Sequence, residues 1–389
     1  MVKEVLLEVL TAASLFFLNP LLVATLIAAV FLGYTRVKRE RHSFRVRLMP
    51  GFTELQRLFS ESWPYAIILS ILLSGVGLVV DSGWLVLFCI AAFVGLLSFN
   101  YKIMSPIYFV AVAFFTIYFL ERFAGDFVYR GWSPTDVDLF GDLAITVAII
   151  AGLLLVIEGF LIKRFGDRDT SPFLKKTKRG LHATVFKTKR LWLLPVLFLV
   201  PGELVSAYLP YWPQFTLGQS AFTFIPVPLI IGFSQVIRSS YPNIIFPKIG
   251  RGVIAIGTVV FVLGVSAIWL PILGVVAILV GVVGRVAYSI VISLRERSGA
   301  FIVAPKSTGV VIAGVLPDSP GDKMGLLSGE CIRSVNGQEV TNEKELYDAI
   351  QINAAHCRLQ VLGRDGEVRL MQQVIYRHDH HRLGILVIR

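Results

Sequence analysis

The stretch from Gly309 to Gly337, GVVIAGVLPDSPGDKMGLLSGECIRSVNG, decides how the last part of the chain folds. Its first residues, 310–315, are rich in β-branched side chains and predict a short strand. The sequence SPG at 319–321 ends that strand, and one helical turn fits into the residues that follow. Asn336-Gly337 is the dipeptide best suited to a two-residue hairpin turn, because both positions tolerate a positive φ. The stretch therefore predicts a small domain of short strands joined by tight turns.

The order of these parts resembles a PDZ domain of the bacterial type. A hydrophobic strand, an SP turn, a Gly-Glu-x-Ile segment at 329–332 and a VNG hairpin follow one another as in that family. Beyond the hairpin, Asn342 and Glu345 have the spacing of a capping box, and Leu346, Ala349 and Ile350 fall on one face of the helix they would start. The resemblance covers about residues 300–389 and implies a small α+β domain, mostly β, over 299–389.

PDZ domains bind a partner's C-terminal peptide as an added strand, beside a hydrophobic-Gly-hydrophobic loop whose N–H groups take the carboxylate. The resemblance implies that Leu383-Gly384-Ile385 forms this loop and that Leu346 and Ile350 line the groove. Bacterial PDZ domains usually carry the loop before the SP strand, whereas here it comes at the end of the sequence. The run LGILVI at 383–388 also fits a plain core strand, so both interpretations stay open.

The rest of the chain has the composition of a polytopic membrane protein. Of the 389 residues, 55% are hydrophobic and only 16% are charged, against about 25% charged in soluble proteins. Apolar runs long enough to cross a bilayer predict an all-α membrane domain over residues 1–298, with about nine spans. These runs lie near 12–34, 64–80, 84–100, 104–120, 140–162, 192–209, 221–237, 253–270 and 272–293. The run at 221–237 contains two prolines and also fits a re-entrant segment.

The basic residues predict how this domain is oriented. Residues 299–389 hold ten Lys/Arg and ten Asp/Glu, so the net charge of +11 comes from residues 1–298. Basic residues concentrate in the loops at 36–57 and 163–190, which predicts that both are cytoplasmic. An N-terminus outside and a PDZ domain in the cytoplasm satisfy every loop. Such a charge indicates contact with anionic lipid at the cytoplasmic face and not nucleic-acid binding.

Catalytic and cofactor motifs are absent from the sequence. No H-E-x-x-H, G-x-S-x-G or phosphate-binding glycine loop occurs, which predicts a protein that is not an enzyme and needs no cofactor. The cysteines Cys89, Cys331 and Cys357 lack metal-ligand or redox spacing and fit a reducing cytosol. The run HDHH at 378–381 is interpreted as a polar turn, because neighbouring residues of an extended chain point to opposite sides. No metal site is predicted.

Two ionisable residues fall inside predicted spans. Arg285 lies near the middle of 272–293, and Glu158 lies near the cytoplasmic end of 140–162. Pairing would reduce the cost of burying both. Such a pair could serve an ion pathway, but a structural ion pair is favoured, because no buried charge recurs along the other spans.

The N-terminal stretch resembles the MinJ family of division-topology proteins of Gram-positive bacteria. The resemblance rests on SLFFLNP at 14–20, on GYTRVKRER at 33–41 with Ser43-Phe44, and on the order of many spans followed by one terminal PDZ domain. It implies an adaptor at division septa and poles that connects a DivIVA-like protein to a MinD-like protein and to other division membrane proteins. The alternative from another class is a transporter or membrane enzyme regulated by its PDZ domain.

Overall fold

The computed structural model describes residues 14–388 except for 15, 130, 169, 178–179, 203–213, 218–219, 307, 354–355 and 375–382. Its first part is helical. The helices are α1 (Pro20–Phe44), α2 (Thr53–Ser60), α3 (Trp63–Val76), α4 (Ser82–Leu97), α5 (Pro106–Phe123), α6 (Ala144–Phe165), α7 (Pro242–Ser266) and α8 (Ile272–Ser298). A short 3-10 turn (Pro134–Asp136) and a π turn (Leu139–Leu143) precede α6. Within the described ranges, six helical segments are long and apolar enough to cross a membrane, α2 and α3 counting together as one, and α4 is a shorter apolar helix.

Glycines let α6 and α7 pack against each other along their length. Gly152 and Gly159 on α6 are seven residues apart, and so are Gly250, Gly257 and Gly264 on α7. A Cβ atom at Gly159 would lie 2.7 Å from the Ile254 nitrogen, and one at Gly257 would lie 2.7 Å from the Val156 nitrogen. The two antiparallel backbones therefore approach too closely for any side chain at these positions, as in membrane helix pairs built on small residues.

A four-stranded sheet lies within the helical region, so the prediction of an all-α domain is wrong there. Its strands are β1 (Ser171–Lys176), β2 (His182–Pro201), β3 (Gln214–Leu217) and β4 (Ser220–Ile237), in the order β1-β2-β4-β3. Strands β2 and β4 form one long antiparallel pair, from Phe186 opposite Ile237 to Pro201 opposite Phe222. The segments 192–209 and 221–237, predicted as helical spans, are the arms of this hairpin as far as the structure describes them.

Hydropathy misled the prediction because both faces of the hairpin are buried, which removes the alternation that marks a strand. The positions of the prolines, in contrast, fit a β-hairpin. Pro195 lies opposite Pro228, while Leu197 lies opposite Pro226 and Pro201 lies opposite Phe222. All four prolines thus occupy positions of the same parity, whose nitrogens point away from the partner strand, and no ladder hydrogen bond is lost.

Outward-pointing backbone groups of the hairpin bond to the helical region. The Ser62 hydroxyl donates to the Leu193 carbonyl (2.5 Å), and the Leu197 N–H donates to the Ser70 hydroxyl (3.0 Å). The Val80 N–H donates to the Leu199 carbonyl at 2.8 Å, and on the other arm the Gly232 N–H donates to the Met104 carbonyl at 2.9 Å. These bonds satisfy groups that an apolar setting would otherwise leave unpaired.

The last part of the chain forms the expected strand-rich domain. It contains β5 (Val310–Val315), α9 (Pro320–Lys323), β6 (Cys331–Val335), β7 (Gln338–Glu339), α10 (Glu343–Ile352), β8 (Cys357–Leu362), β9 (Val368–Gln373) and β10 (Ile385–Val387). The sheet order is β10-β5-β6-β8-β9, with β7 paired to β6. Asn336 and Gly337 have φ values of 50° and 85°, as the hairpin turn requires.

The capping box at α10 forms with one change. The Asn342 side chain accepts from the Glu345 N–H (2.9 Å), but the Glu345 carboxylate accepts from the Thr341 N–H (2.8 Å), one residue before the expected one. The hydrogen bonds from the Thr341 side chain and backbone lower the pKa of Glu345. The helix start is therefore held by the two side chains that the sequence singled out.

Candidate peptide-binding groove and buried ion pairs

Strand β10 lies at the edge of the PDZ sheet, paired on one side with β5. The loop before it is tied down, because the Leu316 N–H donates to the Gly384 carbonyl and the Gly321 N–H donates to the Leu383 carbonyl, both at 2.8 Å. Bonding directions alternate along an antiparallel strand, so the backbone of Ile385 turns to the open edge. That edge is where an added peptide strand would pair.

Gly384 has a structural reason to be glycine. Its φ is +73°, and a Cβ atom there would lie 2.2 Å from the Ser319 Cβ. Gly384→Val would therefore disturb the fold itself, because it combines left-handed backbone strain with a direct clash inside the domain.

The four apolar residues predicted for the groove meet in one hydrophobic cluster. Leu346, Ile350 and Leu383 are fully buried and Ile385 is 4% exposed. In this structure they form the core between α10 and the sheet. Their part in peptide binding stays a prediction.

The opposite face of the PDZ sheet packs on the helical region. Val310 and Ile312 of β5 belong to the PDZ core, whereas Val311 between them belongs to the core of the helical region, together with Cys331 of β6. Gly314 comes close to β1, where an added Cβ would lie 3.1 Å from the Pro172 Cγ. Both faces of β5 are therefore buried, and the domain is docked rather than merely tethered.

Tyr241, just before α7, anchors this contact. Its ring lies under the Arg364 guanidinium, 3.8 Å from ring centre to Cζ, and Arg364 Nε also donates to the Ser328 carbonyl at 2.8 Å. Gly329 has a φ of +93°, and a Cβ there would lie 2.3 Å from the Tyr241 hydroxyl. Burial raises the pKa of Tyr241, which keeps the ring neutral beneath the cation. We call this surface the docking face.

The structure brings Glu158 and Arg285 together inside the helical region. Arg285 donates through Nε and Nη2 to one carboxylate oxygen of Glu158, at 3.1 and 2.7 Å. The Ser105 hydroxyl donates to the other oxygen. Glu158 is fully buried and Arg285 is 5% exposed. Both carboxylate oxygens are thus occupied within the protein, as a structural pair requires.

Buried charges also occur outside the predicted spans. Arg190 donates through Nη2 to both oxygens of Glu61, each at 2.8 Å, and Trp192 Nε1 donates to the same carboxylate at 2.9 Å. The partners are 129 residues apart in the chain. Neither lies within a predicted span, so the charges within the predicted spans do not indicate this pair.

No group of three potential metal ligands occurs among the residues that the structure describes. The HDHH run at 378–381 lies outside those residues. Burial raises the pKa of the Cys357 thiol to about 11, so the thiol stays protonated at neutral pH.

The fold and its docked terminal domain define a helical membrane protein that ends in a protein-interaction module. The family model for the PDZ domain matches residues 311–362. The chain is 32% identical to the cell division topological determinant MinJ of Bacillus subtilis (strain 168) over 392 residues, which cover 98% of this chain and 95% of that protein. The chain therefore belongs to the MinJ family.

Other similarities are more limited. A probable cell division topological determinant MinJ from Lacticaseibacillus paracasei is 29% identical over 63% of this chain and 66% of its own length. A probable periplasmic serine endoprotease, DegP-like, from Marinomonas sp. (strain MWYL1) is 33% identical over 21% of this chain and 20% of its own length. That similarity is confined to the PDZ part. No solved structure matches the chain.

Proposed function

We propose that this protein is a membrane-anchored adaptor in cell-division site selection. It crosses the membrane several times with its N-terminus outside, and it holds the PDZ domain of residues 299–389 at the cytoplasmic face. It bridges a DivIVA-like protein at septa and poles to a MinD-like protein and other division membrane proteins, without catalysis or cofactor.

One observation carries the proposal: an edge strand of the PDZ sheet is open, while the opposite face of the sheet is used for docking. Strand β10 offers backbone groups on one side only, and Val311 and Cys331 hold the sheet against the helical region. A partner strand bound at β10 would be presented in a fixed orientation at the membrane. Fixing the groove reduces the ordering cost when two partners meet there.

A substitution on α10 outside the fully buried core residues tests the proposal. Tyr347 is half-buried and packs against the edge of the PDZ core. Tyr347→Glu should weaken co-purification of the DivIVA-like or MinD-like partner with the full-length protein by about tenfold, through loss of apolar contact at the groove. Lys344→Glu, at an exposed position of the same helix, is the control.

The outcomes distinguish binding at the groove from the bridging function as a whole. If Tyr347→Glu retains both partners like the control, the groove is not their docking site. If neither partner is retained by the unaltered protein, the bridging function itself is wrong. Thermal unfolding of each variant shows whether the domain has stayed folded.

A further inference from the structure

A small pocket lies where the end of α1 meets the first half of β2. Arg36, Arg39, Glu54, Lys187 and Lys189 line it, with Leu32 from the apolar part of α1. It therefore lies at the boundary between the apolar stretch of the helix and the basic segment that follows. Four of these residues are cations. In the part of the chain that the structure describes, one of them, Arg36, is paired with carboxylates, and the other three are not.

Arg36 is fully partnered. It donates from Nε to Glu54 Oε1 (2.5 Å), from Nη1 to Glu40 Oε1 (2.9 Å) and from Nη2 to the Pro50 carbonyl (2.7 Å). Glu40 in turn accepts from the Leu48 N–H at 2.9 Å. Arg36 thus fixes the chain that leaves α1, and its two carboxylates are already occupied.

Arg39, one turn further along α1, is not bonded in this way to any residue that the structure describes, although the charges of Glu40 and Glu54 attract it. Its Nε atom is buried, and no acceptor bonds to it among the residues that the structure describes. A guanidinium N–H that is buried and unpaired costs free energy unless an acceptor from outside the chain reaches it. Such an acceptor would approach Arg39 through the mouth of this small pocket.

The two lysines of β2 also lack carboxylate partners within the described part of the chain. Both are half-buried, and neither forms an ion pair there, although the Lys189 ammonium lies over the Tyr101 ring, 5.2 Å from its centre. Burial, followed by the charges of Arg39, Lys189 and Lys102, lowers the pKa of Lys187. Burial, followed by the charge of Arg39, lowers the pKa of Lys189. The three cations repel one another. An anion that lay between them would attract each of them and offset this repulsion.

We propose that Arg39, Lys187 and Lys189 form a binding site for a phosphate group, supplied by an anionic phospholipid headgroup or by a soluble phosphate. The site is new relative to the adaptor function, but it rests on the membrane placement proposed above. Converging Arg and Lys donors are the usual partners of phosphate oxygens. Basic pockets at the cytoplasmic ends of membrane segments bind lipid headgroups in this way.

Native mass spectrometry of the full-length protein in detergent tests the site. Phosphatidylglycerol, phosphatidylcholine and inorganic phosphate are titrated separately, and inorganic phosphate is also added in competition with phosphatidylglycerol. Lys187→Gln/Lys189→Gln should weaken phosphate-group binding by about fivefold per cation removed. Arg39→Gln, on the other element, should weaken it by a similar factor. The control Lys38→Gln/Arg41→Gln removes two exposed charges from the same helix as Arg39 and should leave binding unchanged.

Each outcome either supports or overturns the phosphate-binding site. Saturable binding of phosphatidylglycerol that inorganic phosphate does not displace supports the site with a lipid as the source, and saturable binding of inorganic phosphate supports it with a soluble source. Equal binding of phosphatidylglycerol and phosphatidylcholine without phosphate binding overturns the proposal, and so does an equal loss in the control variant. If the β2 double variant melts early, Arg39→Gln decides alone. Partner co-purification is measured in parallel, so failure of the adaptor function is recognised separately.

Discussion

At the scale of single residues, hydrogen bonds to both carboxylate oxygens hold Glu158 in its buried pair with Arg285. The carboxylate receives two donors from Arg285 on one oxygen and the Ser105 hydroxyl on the other. Such a pair adds little over an apolar replacement, but breaking it leaves one charge buried alone. This asymmetry separates a structural pair from a transport site.

We expect Glu158→Gln and Arg285→Met each to destabilise the protein by about 3–5 kcal/mol. The double variant should recover much of that loss, because it leaves no uncompensated charge. Thermal unfolding of the purified protein in detergent measures this, with the exposed Arg251→Gln as the control. Single variants that melt normally but abolish uptake of an ion or solute would favour the transporter alternative.

At the scale of elements, the contact between α6 and α7 depends on glycines spaced by seven residues. A lipid-like surrounding offers little hydrophobic gain for bringing two helices together, so close backbone approach and dispersion must hold them. Gly159 lies against Gly250 and Gly152 lies against Gly257, while Gly264 lies against Ala148. The heptad spacing was visible in the sequence, but only the structure shows that the two series face each other.

Enlarging one of these glycines should separate the helices. Gly257→Leu places a side chain where a Cβ atom alone would lie 2.7 Å from the Val156 nitrogen. We expect a loss of at least about 2 kcal/mol, by analogy with overpacked cores, and a lower yield of folded protein. Gly75→Ala in α3, where nothing lies within 4 Å, should be neutral or slightly stabilising. Equal behaviour of the two variants in thermal unfolding would contradict the packing account.

At the scale of the whole molecule, the docking face makes one unit of two differently built parts. Val311 and Cys331 of the PDZ sheet, with Tyr241 before α7, join the two parts. Arg364, an exposed residue in the loop between β8 and β9, extends its guanidinium over the Tyr241 ring. The free energy of this contact is therefore available to fix the direction in which the groove faces.

Arg364→Ala should loosen docking without unfolding the PDZ domain, because Arg364 lies outside its hydrophobic core. A cation–π contact at an exposed site is worth about 0.5–1 kcal/mol, so amide exchange should rise by roughly two- to fivefold in β5 and β6. Hydrogen exchange of the full-length protein reports this, with the exposed Arg333→Ala on the same sheet as the control. Unchanged exchange in β5 would mean that the anchor contributes nothing measurable.

The orientation of the molecule gives a further prediction. Reporter fusions after Arg47, Ala124, Lys178 and Arg389 should read inside, outside, inside and inside, because basic residues concentrate in the loops expected inside. The hairpin does not alter this result, since its two arms run out and back like the two spans predicted in its place. An outside signal at Arg389 would refute the proposed placement of the PDZ domain.

The sequence by itself determined the elements that depend on neighbouring residues. The turns at 319–321 and 336–337, the cap at Asn342 and the apolar runs of α1 and α5–α8 were all predicted, because local backbone preferences and hydropathy decide them. Glu158 and Arg285 were singled out for the same reason, as charges within apolar runs.

Only the tertiary structure decided features that depend on distant partners. The β2–β4 hairpin is buried on both faces, so its hydropathy matches that of a membrane helix. The pair of Arg190 and Glu61, the backbone bonds from Ser62 and Ser70, and the contact of Tyr241 with Arg364 join segments up to 131 residues apart. These contacts stabilise the protein only when folding brings polar groups from distant segments together away from water. A local pattern of residues therefore does not predict them.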